Sequence, residues 1–560
     1  MRSRIIGVME KSLSAYSDEH IISFFNDVKE NGFTAHAFPR LTSNIGILIS
    51  HGRRIDLIPL FIEMMDFCCD YIPKNKAGND FSVRELIACI NEIEKSNAIV
   101  SLVVDGWKKK LAAIVPENCY TVYAVTPEDT VHNWALFTAV SEFFRQKAGL
   151  CDSGEFIDMQ LASQFKRIDG DGLYMDGKED VHHPMLYEVA ARGLFALLLS
   201  GGYRGKHYHK IDSFLKTAGL LTLKMQSPTG EIAFGGRSNQ FIMNEPWLMA
   251  TLEYEAKRYK EENPELAARF KAASERALAV TEAMLSKEPI KHTKNRFPTE
   301  TRYGCDKYAD FNKYMITVAS NIYAAYLICD ESISYTKKTD TEPSVGKTSE
   351  HFHKLFLKSG GYGVEFDLNA DPHYDASGLG RVHRAGAPSA ICLSAPCPKE
   401  PVYTLDGTKF FAFSLCSALK ENNEYKFAAD GCKYTVLNTA EKAESAEASL
   451  LCAFDNGISV NEFYSVSSDG VSIYLECDGE IGFALPAFYF DGEEYTEISE
   501  SKNSLTVTYG GWQCRYTTDG EIIILNKTAK NRNGYYKAYL ASAKSRLNIK
   551  IQIIKNDAKM

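Results

Sequence analysis

Long apolar runs are missing from this sequence. No stretch of about 18 consecutive apolar residues occurs, so no membrane-spanning helix is expected. The opening segment, MRSRIIGVMEKSLSAYSDEH, has neither an apolar core nor a small-residue cleavage site, so a signal peptide is not expected either. These two absences predict a cytoplasmic protein with no membrane partner.

Metal-type cysteine spacing and a strong charge of one sign are also missing. The 14 cysteines are scattered apart from Cys68 and Cys69, and no two pairs have zinc-ligand spacing. We therefore expect reduced thiols and no cofactor. The 63 Lys and Arg against 72 Asp and Glu give a net charge of −9, which argues against nucleic acid as a partner. The sequence carries no indication of an oligomeric state.

Two kinds of apolar pattern divide the chain. In residues 1–330, apolar residues recur every three or four positions, as in MLYEVAARGLFALLLSGG, and this spacing predicts helices. In residues 351–560, short alternating runs are broken by DG, NG and GG turns, which predicts antiparallel strands. We therefore predict a helical domain at 1–330, a polar linker at 331–350 and an antiparallel β-sandwich at 351–560.

The first polar cluster stands at the start of a predicted helix, in TVHNWALF. Asn133 is either the N-cap of that helix or a side-chain amide that meets a ligand at the helix mouth. Trp134 is either a core residue or a flat platform for a sugar ring.

The second cluster is DGLYMDGKEDVHHPMLY. Pro184 suits a first helical position, so His182 and His183 fall at a helix N-terminus, with Tyr187 one turn inside. The positive potential and free N–H groups there suit a carboxylate ligand and favour a neutral imidazole that can accept a proton. Alternatively, one histidine caps the helix and Tyr187 packs inward.

The third cluster is the glycine-rich segment SPTGEIAFGGRSNQ, which brings Arg237 and Asn239 forward. The planar guanidinium of an arginine can hold a carboxylate with two hydrogen bonds, although it can also bind backbone carbonyls. A later segment, RYGCDKYADFNKYM, adds Tyr303 and Tyr308 at a spacing that also fits helix packing.

The β-part has its own polar cluster in DPHYDASGLGRVHRAG. It contains His373, Asp375, His383 and Arg384 within a turn-rich segment. One interpretation is an edge loop that reaches over the helical domain. The other is a divalent-metal site formed by His373, Asp375 and His383.

The order of these clusters resembles the polysaccharide lyases that have a helical toroid followed by β-sandwich layers. In the hyaluronate and chondroitin AC type, NW at a helix start precedes DGLYxDGxxxxH…Y and then GRxxxR. Here Asn133-Trp134, the segment DGLYMDGKEDVH ending at His182, and Gly236-Arg237 follow in that order. The second arginine of the last motif is absent, and the family tyrosine lies further from the histidine than Tyr187 does. The PHYD segment is similar to the His-x-Asp that opens the sandwich of heparinase II/III-like lyases.

The resemblance implies an (α/α) toroid, incomplete or six-hairpin, and a lyase that cleaves uronate-containing glycans by β-elimination. Asn133 and Arg237 would neutralise the substrate carboxylate, while His182 and Tyr187 would exchange protons with the sugar. The expected partner is an acidic oligosaccharide or polysaccharide. The residues expected to bind it are Trp134, His183, Asn239, Tyr303, Tyr308, His373, His383 and Arg384.

Two other functions remain open. Six-hairpin uronide hydrolases share the toroid, and hydrolysis of glucuronides or unsaturated uronides would need a carboxylic acid, with Asp176, Asp180 and Asp306 as candidates. A glycan-binding protein without catalysis is the third possibility, and it predicts that none of the polar clusters matters for turnover.

Overall fold

The computed structural model describes residues 1–33, 36–76, 79–176, 184–335 and 341–556. Three of the predicted site residues, Asp180, His182 and His183, lie outside the described residues.

Helices make up the first part of the described chain. Most begin after a polar or proline residue, and the side chain of Ser17, Asn263 or Asp310 caps three of them. The helices are α1 (Arg2–Leu13), α2 (Asp18–Asn31), α3 (Ala37–Ser50), α4 (Ile58–Tyr71), α5 (Asn79–Ser96), α6 (Ser101–Ala112), α7 (Pro116–Cys119), α8 (Trp134–Lys147), α9 (Gly154–Gln164), α10 (Met185–Ser200), α11 (Tyr208–Met225), α12 (Asn244–Tyr259), α13 (Pro264–Leu285) and α14 (Phe311–Ile328).

Six of these helices form a closed inner ring. Along the chain, α3, α5, α8, α10, α12 and α14 each pack against the next one, and α14 packs back against α3. The outer helices lie against this ring: α4 against α3, α9 against α8, α11 against α10, α13 against α12, and α1 against α14. The helical toroid predicted for the first part of the chain is therefore confirmed.

The inner helices are buried nearly all round because they face other helices on every side. In α10 every residue from Glu188 to Leu199 is buried. Its two charged residues, Glu188 and Arg192, lie one turn apart and pair with each other through Arg192 Nη2 and Glu188 Oε2 at 2.9 Å. Pairing lets both charges stay inside the ring, where an unpaired charge would be strongly disfavoured.

The second part of the described chain consists of antiparallel strands, as predicted. They are β1 (Ser344–Lys347), β2 (Lys354–Ser359), β3 (Tyr362–Asp367), β4 (Gly378–Arg384), β5 (Ser417–Glu421), β6 (Glu424–Phe427), β7 (Lys433–Glu441), β8 (Ser445–Ala453), β9 (Ser459–Ser467), β10 (Gly470–Glu476), β11 (Ile481–Phe490), β12 (Glu497–Glu500), β13 (Ser504–Tyr509), β14 (Trp512–Thr518), β15 (Glu521–Asn531), β16 (Gly534–Ala543) and β17 (Arg546–Lys555).

These strands form three sheets. Their orders are β1-β2-β3-β4, β12-β13-β14-β17-β10-β9-β8-β7 and β15-β16-β11-β5-β6. The eight-stranded sheet packs against both of the others, and one apolar core contains residues of all three. Strands β8 and β9 alternate between buried and more accessible positions, whereas β2 and β3 are buried at every position. Both faces of β2 are covered because α11 packs on it as well.

The junction between the two parts is built from apolar contacts. A small cluster joins Leu173, Met185 and Ala233 of the helical part to Phe352 and Phe356. Helix α14 ends at Ile328, and β1 falls inside the range predicted as a linker. The predicted domain boundaries stay a prediction. Within the described ranges, no helix is both long and apolar enough to cross a membrane.

Candidate active site

Four hydroxyl groups meet at the mouth of the toroid. Ser238 Oγ lies 3.0 Å from Tyr187 Oη, 2.9 Å from Tyr308 Oη and 3.1 Å from Tyr314 Oη. Tyr187 comes from the first turn of α10, Tyr308 from the loop before α14, and Tyr314 from α14 itself. These four residues are called the hydroxyl cluster below. Three separate segments of the chain therefore bring their hydroxyls to one serine.

The backbone around Ser238 is held in an unusual conformation. Its φ is 56°, in the left-handed region that costs a residue with a side chain about 1–3 kcal/mol. The Ser238 N–H donates to Asp306 Oδ2 at 3.0 Å, and Asn244 Nδ2 donates to the Ser238 carbonyl at 3.2 Å. Both Asp306 oxygens also accept from Arg532, at 2.9 and 3.1 Å. The surrounding hydrogen bonds thus fix the position of the serine hydroxyl.

Arg237 lies beside the hydroxyl cluster. One Nη donates to Asp176 at 2.8 Å, and the guanidinium carbon lies 4.9 Å from the centre of the Tyr187 ring. Burial opposes the charge of Arg237, but Tyr187 and Asp176 outweigh it and raise its pKa above the ordinary value. The side chain is 36% exposed, yet its buried Nε has no partner among the described residues. The Nε–H group of Arg237 is therefore a candidate donor to a ligand.

The β-part supports the same loop from the other side. The Gly236 N–H donates to Asp375 Oδ2 at 3.0 Å. Burial and the nearby Asp367 raise the pKa of Asp375 to about 6, against the opposing effects of Lys354 and the Gly236 N–H. A Cβ at Gly235 would lie 3.1 Å from Met185 and 3.3 Å from the Lys354 ammonium. A glycine therefore fits this close approach better than a larger residue.

The N-terminal end of α8 lies near the ion pair of Asp176 and Arg237. Asn133 is buried at the N-cap position, but its side chain makes no capping hydrogen bond in the described part of the chain. The neighbouring His132 contacts the Trp134 ring edge-to-face at 5.2 Å between centroids. Its pKa is lowered, chiefly by desolvation and then by nearby cations that include Arg237, against the opposing charge of Asp176. His132 is thus an imidazole held neutral close to the Asp176–Arg237 pair.

Two predicted ligand-binding residues use their polar groups inside the protein. Tyr303 is buried, its ring stacks on Phe297 at 3.6 Å between centroids, and its hydroxyl donates to the Gly534 carbonyl at 3.4 Å. Asn239 is buried as well, and its Nδ2 donates to the Ala233 carbonyl at 3.3 Å. Both residues contribute to packing between loops.

His383 and Arg384 also make internal contacts. His383 is buried, and its Nδ1 lies 3.0 Å from Thr229 Oγ1. Burial lowers the pKa of His383 to about 3, so its ring stays neutral. Arg384 donates to the Ile553 carbonyl, and its guanidinium lies 5.2 Å from the centre of the Tyr362 ring.

The suggested metal ligands are not brought together. His373 is partly exposed, and its Nδ1 lies 2.9 Å from an Asp371 oxygen. Asp375 binds the Gly236 N–H, and His383 binds Thr229. Among the residues that the structure describes, no group of three His, Cys, Asp or Glu side chains could hold a metal ion.

Several residues of the site were not found from the sequence. Ser238 and Tyr314 carry no motif of their own, and Arg532 stands in an ordinary hairpin turn between β15 and β16. Tyr374 stands between the two residues that were selected from PHYD. The guanidinium carbon of Arg532 lies 5.7 Å from the centre of the Tyr374 ring. Burial and Asp306 raise the pKa of Tyr374 to about 12, against Arg532 and Arg237.

The candidate acids for hydrolysis differ from one another. Both Asp306 oxygens are used by Arg532 and the Ser238 N–H. Asp176 is buried and pairs with Arg237 through Oδ2, whereas its Oδ1 has no partner within the described ranges. Of these two, only Asp176 has a carboxylate oxygen without a partner from the part of the chain that the structure describes.

Sequence comparison gives no relative, since neither a protein-family model nor a curated protein matches this chain. Solved structures do match. A heparinase III structure is 10% identical, with a TM-score of 0.50 over 92% of this chain and 78% of the other. A mutant of the heparan sulfate lyase HepC from Pedobacter heparinus is 9% identical, with a TM-score of 0.49 over 92% and 76%.

The likeness to heparinase III extends over nearly the whole described architecture. It covers the closed helical ring and the antiparallel sheets in the same order along the chain. Because the two sequences are 10% identical, the likeness shows a shared fold. The chemistry has to be argued from the residues of the site. The resemblance expected from the sequence is thereby confirmed at that level: this chain has the polysaccharide-lyase fold of heparinase III, a helical toroid followed by antiparallel β-sheets.

Proposed function

We propose that this protein is a lyase that cleaves uronate-containing glycans by β-elimination. One observation carries the proposal: the partly exposed side chain of Arg237, whose buried Nε has no partner among the described residues, lies beside four clustered hydroxyls. A guanidinium is suited to holding a carboxylate, and phenol hydroxyls can take and return protons. The heparinase name of the structure that shares this fold also supports an acidic glycan as substrate.

The chemistry needs a cation at the sugar carboxylate. β-Elimination removes the proton at C5 of a uronate and expels the oxygen at C4. The C5 proton becomes acidic only when the neighbouring carboxylate is neutralised, because negative charge builds up on that group as the bond breaks. In the proposed mechanism Arg237 and the Asn133 amide bind this carboxylate.

The proton transfers are assigned to the hydroxyl cluster and to histidine. Tyr187 contacts both Arg237 and Ser238, so we assign it the acid–base role. Burial and the neighbouring Tyr187 raise the pKa values of Tyr308 and Tyr314, which therefore stay protonated. His182 remains the proposed proton acceptor, and the neutral imidazole of His132 is a further candidate for that role.

Hydrolysis is the second candidate because Asp176 has an oxygen without a partner in the described part of the chain. In that mechanism Asp176 would be the general acid. For the location we propose the cytoplasm. All 14 cysteines are free thiols, which supports a reducing compartment and, with it, imported oligosaccharides as substrates.

The decisive experiment is incubation with a panel of uronate oligosaccharides, followed by mass spectrometry. Elimination leaves product masses that sum to the substrate and creates a double bond that absorbs ultraviolet light. Hydrolysis adds one water to the sum and creates no such absorbance. Products with an added water would contradict the lyase proposal, and an unchanged substrate panel would support a binding protein instead.

Variants assign the roles once a substrate is found. We expect Arg237→Ala to weaken binding and turnover together, because the carboxylate loses its partner in both ground and transition state. His182→Ala should lower kcat by about 10²- to 10⁴-fold with little change in KM. The exposed His209→Ala is the matched control and should behave as the unchanged protein. Full activity in His182→Ala together with loss in Asp176→Asn would favour hydrolysis.

A further inference from the structure

A second cavity lies away from the hydroxyl cluster. Its volume is about 410 Å³, which is within the range of small-molecule sites. Helix α13 forms one wall, the loop at 386–390 forms another, and the turn between β13 and β14 closes a third. Neither Arg237 nor any residue of the hydroxyl cluster lines it.

The cavity lies behind the loop that carries the candidate active site. Thr229, Glu231 and Gln240 of that loop line the cavity. In the same loop, Arg237 binds Asp176, and Ser238 contacts the tyrosines of the hydroxyl cluster. The two sites therefore share a loop and differ in the side chains that they use.

Two buried acceptors in the cavity wall have no hydrogen-bond donor among the residues that the structure describes. Glu231 is 1% exposed, and its Oε2 is 3.9 Å from Lys294 Nζ, beyond hydrogen-bond distance. Asn533 is 6% exposed; its Nδ2 donates to Gln240 Oε1 at 3.0 Å, but its Oδ1 has no partner. Within the described residues both acceptors are unsatisfied. A buried acceptor without a donor is costly, so these two atoms suit a ligand that carries hydroxyl groups.

Among the described residues that line the cavity, Lys287 is the cation available for an anionic group. Lys294 is paired with Glu245 at 2.7 Å, and Arg296 with Glu493 at 3.0 Å. Lys287 also lines the cavity, and within the described ranges its ammonium forms neither a side-chain hydrogen bond nor an ion pair. Lys287 lies two residues beyond the end of α13 and is exposed, which places its ammonium at the rim.

The remaining wall is aromatic and apolar. Trp512, Tyr509 and Phe488 line it together with Met284. The Tyr509 hydroxyl donates to Asp491 at 2.7 Å, which fixes its ring in place. Flat rings of this kind suit the apolar face of a sugar ring.

We propose that this cavity binds a small sugar acid, a uronate of one or two rings. Ring hydroxyls would donate to Glu231 Oε2 and Asn533 Oδ1, the carboxylate would pair with Lys287, and the ring would lie against Trp512. This site is additional to the proposed function and does not depend on elimination chemistry.

The test is a calorimetric titration of the whole protein with sodium glucuronate, with glucose as the neutral match. It is carried out in Arg237→Ala, so that binding at the candidate active site is removed. We expect one saturable site, with glucose at least about tenfold weaker because it lacks the charge. Lys287→Met should weaken glucuronate binding about tenfold, the loss of one charged hydrogen bond. Ala283→Phe, at an exposed lining position of α13, should abolish binding by filling the cavity.

The control is Lys257→Met, which removes an exposed lysine outside the cavity and should leave the affinity unchanged. The proposal is overturned if Arg237→Ala binds no glucuronate, if glucose binds equally well, or if Lys287→Met and Ala283→Phe both retain full affinity. Because the readout is binding, absence of lyase activity in any substrate panel leaves this result unaffected.

Discussion

Ser238 has a single proton to share among three tyrosine hydroxyls. A serine hydroxyl donates one hydrogen bond and accepts two. In each pair of Ser238 with a tyrosine either oxygen can be the donor, so at most one of the three tyrosines receives the serine proton. Tyr187 Oη lies 3.0 Å from Ser238 Oγ, and the Tyr187 ring also lies beside the Arg237 guanidinium. The contact with the Arg237 guanidinium therefore distinguishes Tyr187 within the hydroxyl cluster.

This arrangement separates two tyrosines that contact the same serine. We expect Tyr187→Phe to lower kcat by about 10²- to 10⁴-fold, as for loss of a positioned acid or base, with a small change in KM. Tyr314→Phe is the matched variant: it removes a buried hydroxyl that also contacts Ser238, so stability should fall by about 1 kcal/mol and kcat by less than about tenfold. Steady-state kinetics on an active oligosaccharide measures both. Equal losses of kcat would contradict the special role of Tyr187.

At the residue scale the sequence identified side chains that have distinctive chemistry. Arg237 follows two glycines, and Tyr187 stands one turn into a helix, so both could be selected as candidates, and their roles stay predictions. Ser238 could not be selected, because a serine between an arginine and an asparagine is typical of any loop. Its importance comes from Asp306 and Arg532, which reach it from segments far away in the sequence.

Among the elements, the turn before α10 depends on a glycine. Gly172 has φ of 78°, and a Cβ there would lie 2.4 Å from the Phe214 carbonyl oxygen. The preceding Asp169 side chain accepts from the N–H groups of Asp171 and Leu173 at 3.0 and 2.8 Å. This tight turn leads the chain to Asp176, so its geometry sets where the partner of Arg237 lies.

A pair of glycine variants tests the turn. Gly172→Ala should destabilise the protein by about 2–4 kcal/mol, because a left-handed φ and a backbone clash act together. Gly149→Ala is the control: its φ is 72°, but no atom lies within 4 Å of an added Cβ, so the loss should be about 1 kcal/mol. Urea denaturation gives both values. Similar urea midpoints for the two variants would show that the Phe214 backbone moves away from the added methyl group without loss of stability.

The periodicity of the sequence predicted the elements better than their arrangement. The repeats of three and four residues predicted the helices, because each inner or outer helix has an apolar face to bury. The strand β1 was assigned to a linker, since its four residues SVGK carry too little alternation to indicate a strand. The closure of α14 against α3 depends on contacts between the ends of the helical part, which local patterns do not encode.

At the scale of the whole molecule, the two halves are joined by a buried ion pair. Arg532 of the β-part binds Asp306 and the Gly304 carbonyl, and its guanidinium lies 3.8 Å from the centre of the Tyr403 ring. Both charged side chains are almost fully buried. The pair holds the N–H of Ser238 through Asp306, so a residue of the sheets positions the hydroxyl cluster.

Removing this pair should affect stability and turnover together. We expect Arg532→Met to destabilise the protein by about 3–5 kcal/mol, because it leaves a buried carboxylate without its partner. It should also lower kcat more than it raises KM, because Asp306, which accepts from the Ser238 N–H, loses the arginine that positions it, a change that destabilisation alone would not produce. Arg546→Met removes an exposed arginine paired with Glu476 and should cost less than about 1 kcal/mol. Equal thermal unfolding midpoints for Arg532→Met and Arg546→Met would contradict a stabilising role of the buried ion pair.

The ion pair between Asp306 and Arg532 also has a consequence for biosynthesis. The two residues are 226 positions apart, and the toroid leaves the ribosome long before the hairpin that carries Arg532. Domains generally fold as they are synthesised, from the N-terminus onward. A nascent chain can therefore complete its ring of helices while the loop at Ser238 still lacks its anchor. Under the proposed function, activity would arise only when the hairpin at Arg532 has docked, so that partly made chains would be inactive.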